Sequence, residues 1–255
     1  MEALVLAAGY ATRLRPLTDT IAKPLLPVGG RPILDWIRDK IEEIPDVGGL
    51  HVVTNARYAS SFESWAGGRG AVTIHDDGTT SNDDRLGAIG DIGFALDRIG
   101  ADDDLLVVAG DNLFDYSLAD YADWWRGKGV GSAVAVYDVG DRELIKQYGV
   151  VALDGNERVI DFVEKPPDPP STLAATATYL YHREHLPLVE RYLAEGNPRD
   201  QPGNLVAWLH KREPVYGYTF TGGWYDIGTP EQLLEADNRL RERVGLPTRT
   251  AYAPD

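Results

Sequence analysis

Short apolar runs alternate with amphipathic stretches along the first half of the chain. Residues 3–8 and 105–109 are apolar without a break and of strand length. Runs this short and this apolar predict strands covered on both faces. Residues 50–54, 71–75 and 132–138 read as further strands. Between them, 33–44 sets Ile33, Trp36, Ile37, Ile41 and Ile44 at helical spacing behind Pro32. Residues 59–65, 86–99 and 116–128 read as helices, and 76–85 as a polar loop. This alternation implies βαβ units and a mostly parallel sheet with helices on both faces. Right-handed crossovers then bring Gly9, Thr54, His75 and Asp111 to one sheet edge, where such folds hold ligands.

The second half has a different rhythm. Residues 149–153 and 158–164 predict two strands around the turn Asp154-Gly155-Asn156, followed by a Pro-rich loop to Pro170. A strand over 176–182, helices over 187–195 and 204–211, a strand over 215–220 and a helix over 231–243 behind Thr229-Pro230 complete the pattern. No repeat, low-complexity segment or linker interrupts it. We expect one domain over residues 1–255, its second half supplying the substrate side.

Composition narrows the function. The 255 residues include no Cys, which removes disulfides, thiolate zinc sites and cysteine nucleophiles. No apolar run approaches the roughly 18 residues of a membrane span, and Met1-Glu2-Ala3 lacks the basic start of a secretion signal. We therefore expect a cytoplasmic protein without a membrane partner. The net charge of −15 disfavours nucleic acid and anionic lipid as partners. A polyphosphate substrate would need local cations and a divalent metal to offset that charge.

Five segments hold candidate chemistry. The first apolar run breaks at Gly9 into a loop bearing Arg13 and Lys23. Backbone amides with two cations suit a polyphosphate, although an ordinary strand–helix turn has the same composition. The loop matches neither GxxxxGK[ST] nor GxGxxG, which disfavours a nicotinamide-dependent oxidoreductase. Residues 85–92, RLGAIGDI, read as a helix start with small residues for packing or for close approach of a ligand. Asp111 ends a buried strand, as a metal ligand or as a turn residue. Residues 148–151 (YGVV) and 162–166 (FVEKP) form a spaced pair, and 223–229 (GWYDIGT) links a strand to the last helix.

The stretch LAAGYATRLRPLT followed by KPLLPVGGRPILD resembles the nucleotide-binding loop of the sugar-1-phosphate nucleotidylyltransferases. The remaining segments resemble the steps that follow in that family, in the same order. The resemblance implies a Rossmann-like three-layer nucleotide-binding fold with a mostly parallel mixed sheet. It implies a Mg²⁺-dependent condensation of an NTP with a sugar-1-phosphate, giving NDP-sugar and pyrophosphate, with dTTP or UTP favoured and GTP open. Leu6, Ala8, Gly9, Arg13 and Gly87 would border the nucleotide. Arg13, Lys23, Asp111 and Lys165 would be catalytic. Gly149, Glu164, Lys165 and Tyr179 would hold the sugar phosphate, with the sugar lying against the Gly149 backbone. Asp111 and Asp226 would hold Mg²⁺.

Departures from the family pattern qualify the substrate. Tyr10-Ala11 replaces a smaller pair, so Tyr10 could narrow the base or ribose pocket. The 76–84 stretch DDGTTSNDD lacks the Gln that reads the base in thymidylyl members, and RDQPGNLVAW over 199–208 replaces an acidic, sugar-facing stretch. A homo-oligomer is compatible with the family. The acetyltransferase β-helix of bifunctional relatives is not expected after residue 255. Two alternatives remain: a cytidylyltransferase for a choline- or polyol-type phosphate, with Trp224, Tyr225 and Tyr179 as an aromatic cage, and a non-catalytic nucleotide-sugar-binding homologue.

Overall fold

The computed structural model describes residues 1–254. Its first half runs β1 (Glu2–Leu6), a ribbon of β2 (Pro27–Val28) and β3 (Arg31–Pro32), α1 (Ile33–Glu42), β4 (Leu50–Thr54), α2 (Ala59–Ala66) and β5 (Val72–Asp76). There follow α3 (Ala88–Ile99), β6 (Leu105–Ala109), β7 (Asn112–Phe114), α4 (Leu118–Arg126) and β8 (Ser132–Asp138). The second half contains β9 (Gly149–Leu153), β10 (Val159–Glu164), β11 (Leu173–Tyr181), α5 (Pro187–Ala194), α6 (Gly203–Leu209), β12 (Val215–Phe220), β13 (Trp224–Asp226) and α7 (Pro230–Arg243).

Alternation along the buried strands sets the layers. In β1, Ala3 and Val5 enter one apolar cluster and Leu4 the other. In β6, Leu106 and Val108 join the first, Leu105 and Val107 the second. A strand apolar at every position feeds two cores because successive side chains point to opposite faces. Helices α1, α2, α4 and α7 cover one face, and α3, α5 and α6 the other. The result is the three-layer α/β architecture expected from the alternating pattern.

The sheet has nine strands in the order β10-β9-β11-β6-β1-β4-β5, with β8 on β11 and β12 on β8. Strands β5, β4, β1 and β6 pair in parallel, as do β8 and β12. Strands β10 and β11 run against the rest. Strand β11 is longer than its sequence pattern suggested, beginning at Leu173, and it opens the sheet. One edge pairs with β8 at Leu173–Ala175 and again at Tyr179 and Leu180. The other pairs with β9 at Leu173 and Ala174, then with β6 from Thr178 onward. A register shift between Ala175 and Tyr179, with Ala177 at φ 52°, marks the changeover. The gap between the end of β6 and the start of β9 is where the cleft forms.

Pattern reading had not found β2, β3, β7 or β13. They are two or three residues long, below the length at which periodicity is visible.

Candidate active site

The opening loop is held in place by side chains that bond to its backbone carbonyls. Asn55 Nδ2 donates to the Ala8 carbonyl at 2.8 Å, and Thr18 Oγ1 to the Ala11 carbonyl at 2.9 Å. Ala11 sits at φ 44° and starts a 3-10 turn over Thr12–Leu14, from which Arg13 projects. A Cβ added at Gly9 would meet nothing within 4 Å, so no packing requirement explains this glycine. It leaves open space beside the backbone. Tyr10 turns inward, 4 % exposed, with its hydroxyl 3.2 Å from Thr79 Oγ1. The side chain anchors the 76–84 loop and does not narrow the nucleotide pocket, contrary to the expectation for that residue.

Asp111 and Asp226 meet through the small β7–β13 ribbon. Asp226 pairs with Asn112 in its register, and the Ile227 amide donates to the Asp111 carbonyl at 3.3 Å. The sequence had placed both acids after main-sheet strands. Instead Asp226 reaches the cleft by a two-stranded ribbon that Trp224 Nε1 ties to Asn112 Oδ1 at 2.7 Å. Gly110 makes the approach possible. Its amide donates to the Leu6 carbonyl at 2.9 Å, and a Cβ there would stand 2.9 Å from that oxygen. Lys23 Nζ lies 2.6 Å from Asp111 Oδ2. Two cations expected at the triphosphate thus differ: Lys23 is paired with the acid, whereas Arg13 enters no ion pair among the described residues. Burial raises the Asp226 carboxyl, the charge of Asp111 raises it further, and Lys23, Arg13 and Lys165 act in the opposite sense.

On the far side of the cleft, β10 ends at Glu164, and Lys165 follows at φ 47° with its amide donating to the Tyr148 carbonyl. A Cβ at Gly149 would come within 2.8 Å of Phe162 Cζ and 2.9 Å of Glu164 Oε2. Gly149 therefore lets the Glu164 carboxylate lie against the chain, beyond the role toward a sugar expected from sequence. Burial pushes the Glu164 carboxyl up, and Lys165 partly offsets this. Tyr179 is 2 % exposed and still contributes to the lining.

These residues border two adjoining cavities. One of about 530 Å³ takes in Leu6, Ala8, Gly9, Arg13, Lys23, Gly87 and Asp111. The other, about 170 Å³, takes in Tyr148, Gly149, Glu164, Tyr179 and Trp224. Asn112, Lys165, Ala177, Gln201, Pro202 and Asp226 line both. Of the five non-glycine residues at positive φ among the described residues, Ala11, Lys165 and Ala177 line this cleft. Backbone strain of that kind concentrates where function fixes geometry. Every predicted site residue lines one of the cavities. Thr54 and His75 do not: Thr54 is buried in the sheet, and His75 bonds to His51 at 2.9 Å. The aromatic cage does not form either. Trp224 and Tyr179 line the smaller cavity, while Tyr225 points to the opposite side of β13.

Some lining residues were missed. Asn112 and Ala177 had no sequence signal beyond their neighbours. Gly87 was expected at the base, yet it also sits at φ 79° with its Cβ position 2.7 Å from the Arg199 carbonyl. Asp91 had a signal: it interrupts the apolar face of α3 and is 6 % exposed.

Parallel strand ends, a glycine-opened loop, two converging acids and the side chains of Arg13, Lys23 and Lys165 thus meet in one cleft of an α/β domain. The sequence profile of the nucleotidyl transferase family matches residues 2–243, and the chain belongs to that family. It is 28 % identical over 244 residues to the bifunctional protein GlmU of Methanocaldococcus jannaschii, covering 96 % of this chain and 55 % of the relative. It is 25 % identical to the low-salt glycan biosynthesis nucleotidyltransferase Agl11 of Haloferax volcanii, covering 100 % of this chain and 70 % of the relative. The chain thus spans about half the length of the GlmU relative. A structure described as a glucose-1-phosphate thymidylyltransferase of Bacillus anthracis, solved with sucrose, superposes with a TM-score of 0.81 at 26 % identity, covering 95 % and 96 % of the two chains. An apo UDP-glucose pyrophosphorylase shares the fold, with a TM-score of 0.79 at 23 % identity, covering 95 % of this chain and 98 % of the other. No helix among the described residues is long and apolar enough to cross a membrane.

Proposed function

We propose that this chain condenses an NTP with a sugar-1-phosphate, releasing pyrophosphate and an NDP-sugar, with Mg²⁺ required. The observation behind this reading is that Lys165 and Asp226 are shared by a nucleotide-sized cavity and a smaller polar one. A phosphate held at that junction faces both compartments. The smaller cavity, with Glu164 and Gln147 among its lining residues, suits the hydroxyls of a sugar.

In this reading a sugar phosphate oxygen attacks the α-phosphorus in line, and the bond to the pyrophosphate oxygen breaks. The protein's work is positioning and charge neutralisation. Arg13 and Lys23 hold the β- and γ-phosphates and the charge that develops on the leaving pyrophosphate. Lys165 aligns the attacking phosphate. No general base is needed, because a phosphate monoester is largely dianionic near neutrality. The chemistry of the donor set fits Mg²⁺. Asp111 and Asp226 would hold the ion, and no third carboxylate or histidine joins them among the described residues. That suits an ion which takes one or two carboxylates and completes its shell with phosphate oxygens and water. When bound, it supplies positive charge to the phosphates.

The test is pyrophosphate release from a panel of NTPs and hexose-1-phosphates, with and without chelator. Release should require an NTP, a sugar-1-phosphate and divalent metal together. Release without any sugar phosphate would reject the reading, as would consumption of choline phosphate in its place. Nucleotide binding with no turnover across the panel would favour the non-catalytic homologue.

A further inference from the structure

The lining of the 530 Å³ cavity also includes Leu6, Ala8, Gly87, Ala88 and Asp91, residues of β1, the opening loop and the start of α3. Asp91 stands in the first turn of α3, with its amide bonded to the Gly87 carbonyl. Asp77, which follows β5, is the acid that acts on the Asp91 carboxyl. Asp91 Oδ1 and Asp77 Oδ2 are both sealed from solvent, and neither has a partner among the described residues. The other Asp77 oxygen is taken, accepting from the Thr79 amide and hydroxyl, each at 2.7 Å.

Two neighbouring carboxyls, each with a buried oxygen lacking a donor, are satisfied together by one shared proton. Burial and the charge of Asp77 raise the Asp91 carboxyl to about 8, and burial raises Asp77 as well. The charged and titratable groups nearby do not reverse this. Asp84 is engaged with Thr80 and Ser81, Arg85 is paired with Asp200 at 2.8 Å, and Tyr10 is a buried phenol. With the proton on the Asp77 side, the remaining Asp91 oxygen presents only lone pairs to the cavity.

We propose that Asp91, oriented by Asp77, selects a nucleobase bearing an exocyclic amino group over uracil or thymine. A carboxyl acceptor takes a hydrogen bond from the amino group of cytosine, adenine or guanine. Set against O4 of uracil or thymine in place of that amino group, it opposes lone pair to lone pair, and the only edge donor those bases keep is N3–H, so the contact is weaker. The inference rests on the nucleotide reading of this cavity and departs from the dTTP or UTP preference that the family resemblance implied.

Equilibrium binding tests it without reference to turnover. CTP, GTP, ATP, UTP and dTTP are titrated calorimetrically into the full chain with Mg²⁺ present. At least one amino-bearing NTP should bind roughly tenfold or more tightly than both UTP and dTTP. Asp91→Ala should collapse that ratio. Asp91→Asn should keep it, because the amide nitrogen takes the proton's place toward Asp77 and its oxygen still faces the cavity. UTP or dTTP binding as tightly as the best amino-bearing NTP overturns the inference in the parent protein, whether or not Asp91→Ala folds. An unchanged ratio in a folded Asp91→Ala also overturns it. If no NTP binds at all, the nucleotide reading fails instead. Selective binding without pyrophosphate release would sustain this inference and reject only the catalytic proposal.

Discussion

The two ends of the cleft hold the same chemical unit, a pair of aspartates, in opposite electrostatic settings. At the phosphate end, Asp111 and Asp226 are flanked by Lys23 at 2.6 Å from Asp111, with Arg13 and Lys165 nearby. At the other end, burial raises both Asp77 and Asp91, the charge of Asp77 raises Asp91 further, Thr79 partly offsets the rise at Asp77, and no cation pairs with either carboxyl among the described residues. An acid pair keeps both charges where cations or a metal compensate it, and shares a proton where nothing does. The first pair suits a divalent ion, and the second a singly charged, proton-sharing pair that accepts hydrogen bonds. The net charge of −15 therefore says little about the cleft, where four local cations decide the outcome: Arg13, Lys23, Arg85 and Lys165.

The largest effect that would break this contrast is expected at the phosphate end. Asp111→Asn or Asp226→Asn should lower kcat about a thousandfold or more in the pyrophosphate assay, with the fold retained by circular dichroism. Turnover close to the parent's would remove the metal role. Lys165→Ala comes next. Losing one charged contact to the attacking phosphate should cost roughly a hundredfold in kcat/KM for the sugar phosphate, and far less in NTP affinity.

Glycines sharpen the comparison between structural and ligand-facing positions. Gly110→Ala drives a Cβ against the Leu6 carbonyl at 2.9 Å and Pro24 Cγ at 3.0 Å. That clash should cost roughly 2 kcal/mol of stability, read as a Tm lower by about 4–8 °C. Gly9→Ala meets open space, so its Tm should stay within about a degree or two. Its effect should fall on KM for the nucleotide, which ought to rise several-fold as the methyl group enters the cavity.

The last effect concerns pH. The Asp91 carboxyl is raised to about 8 in the folded state from an ordinary value near 4. The folded chain thus binds more protons than the unfolded one across that interval. The stability contributed by the protonated form is complete below pH 4 and lost as pH rises through 8. Asp91→Asn has no such dependence, so relative to the parent it should gain about 1–3 kcal/mol between pH 5 and pH 8 in denaturant titrations. A constant difference between the two across that range would mean that Asp91 is ionised throughout.

Sequence reading reached the layers, the parallel half of the sheet and the order of the site segments, because β1, β6 and α1 have strong periodicity and Gly9, Asp111 and Lys165 sit in distinctive local contexts. It did not reach the device that joins Asp111 to Asp226. Strands β7 and β13 have three residues each, and their pairing depends on a Trp224–Asn112 hydrogen bond spanning 112 positions. The changeover in β11 was equally hidden, since nothing about Ala177 as a residue demands φ 52°. Tyr10 was misread because proximity in sequence to a binding loop does not fix which way a side chain turns. Asp91 was legible as a polar break in an apolar helix face, but its partner Asp77 lay in a loop rich in acids, where no one acid stood out.

The most direct test of the account is an anomalous diffraction measurement on crystals of this chain soaked with Mn²⁺ and a non-hydrolysable NTP analogue. The account expects one anomalous peak between the carboxylates of Asp111 and Asp226, with Arg13 on the phosphates, and no peak at Asp77 and Asp91. A peak at the Asp77–Asp91 pair, or an ion bound to phosphates without both Asp111 and Asp226, would contradict it.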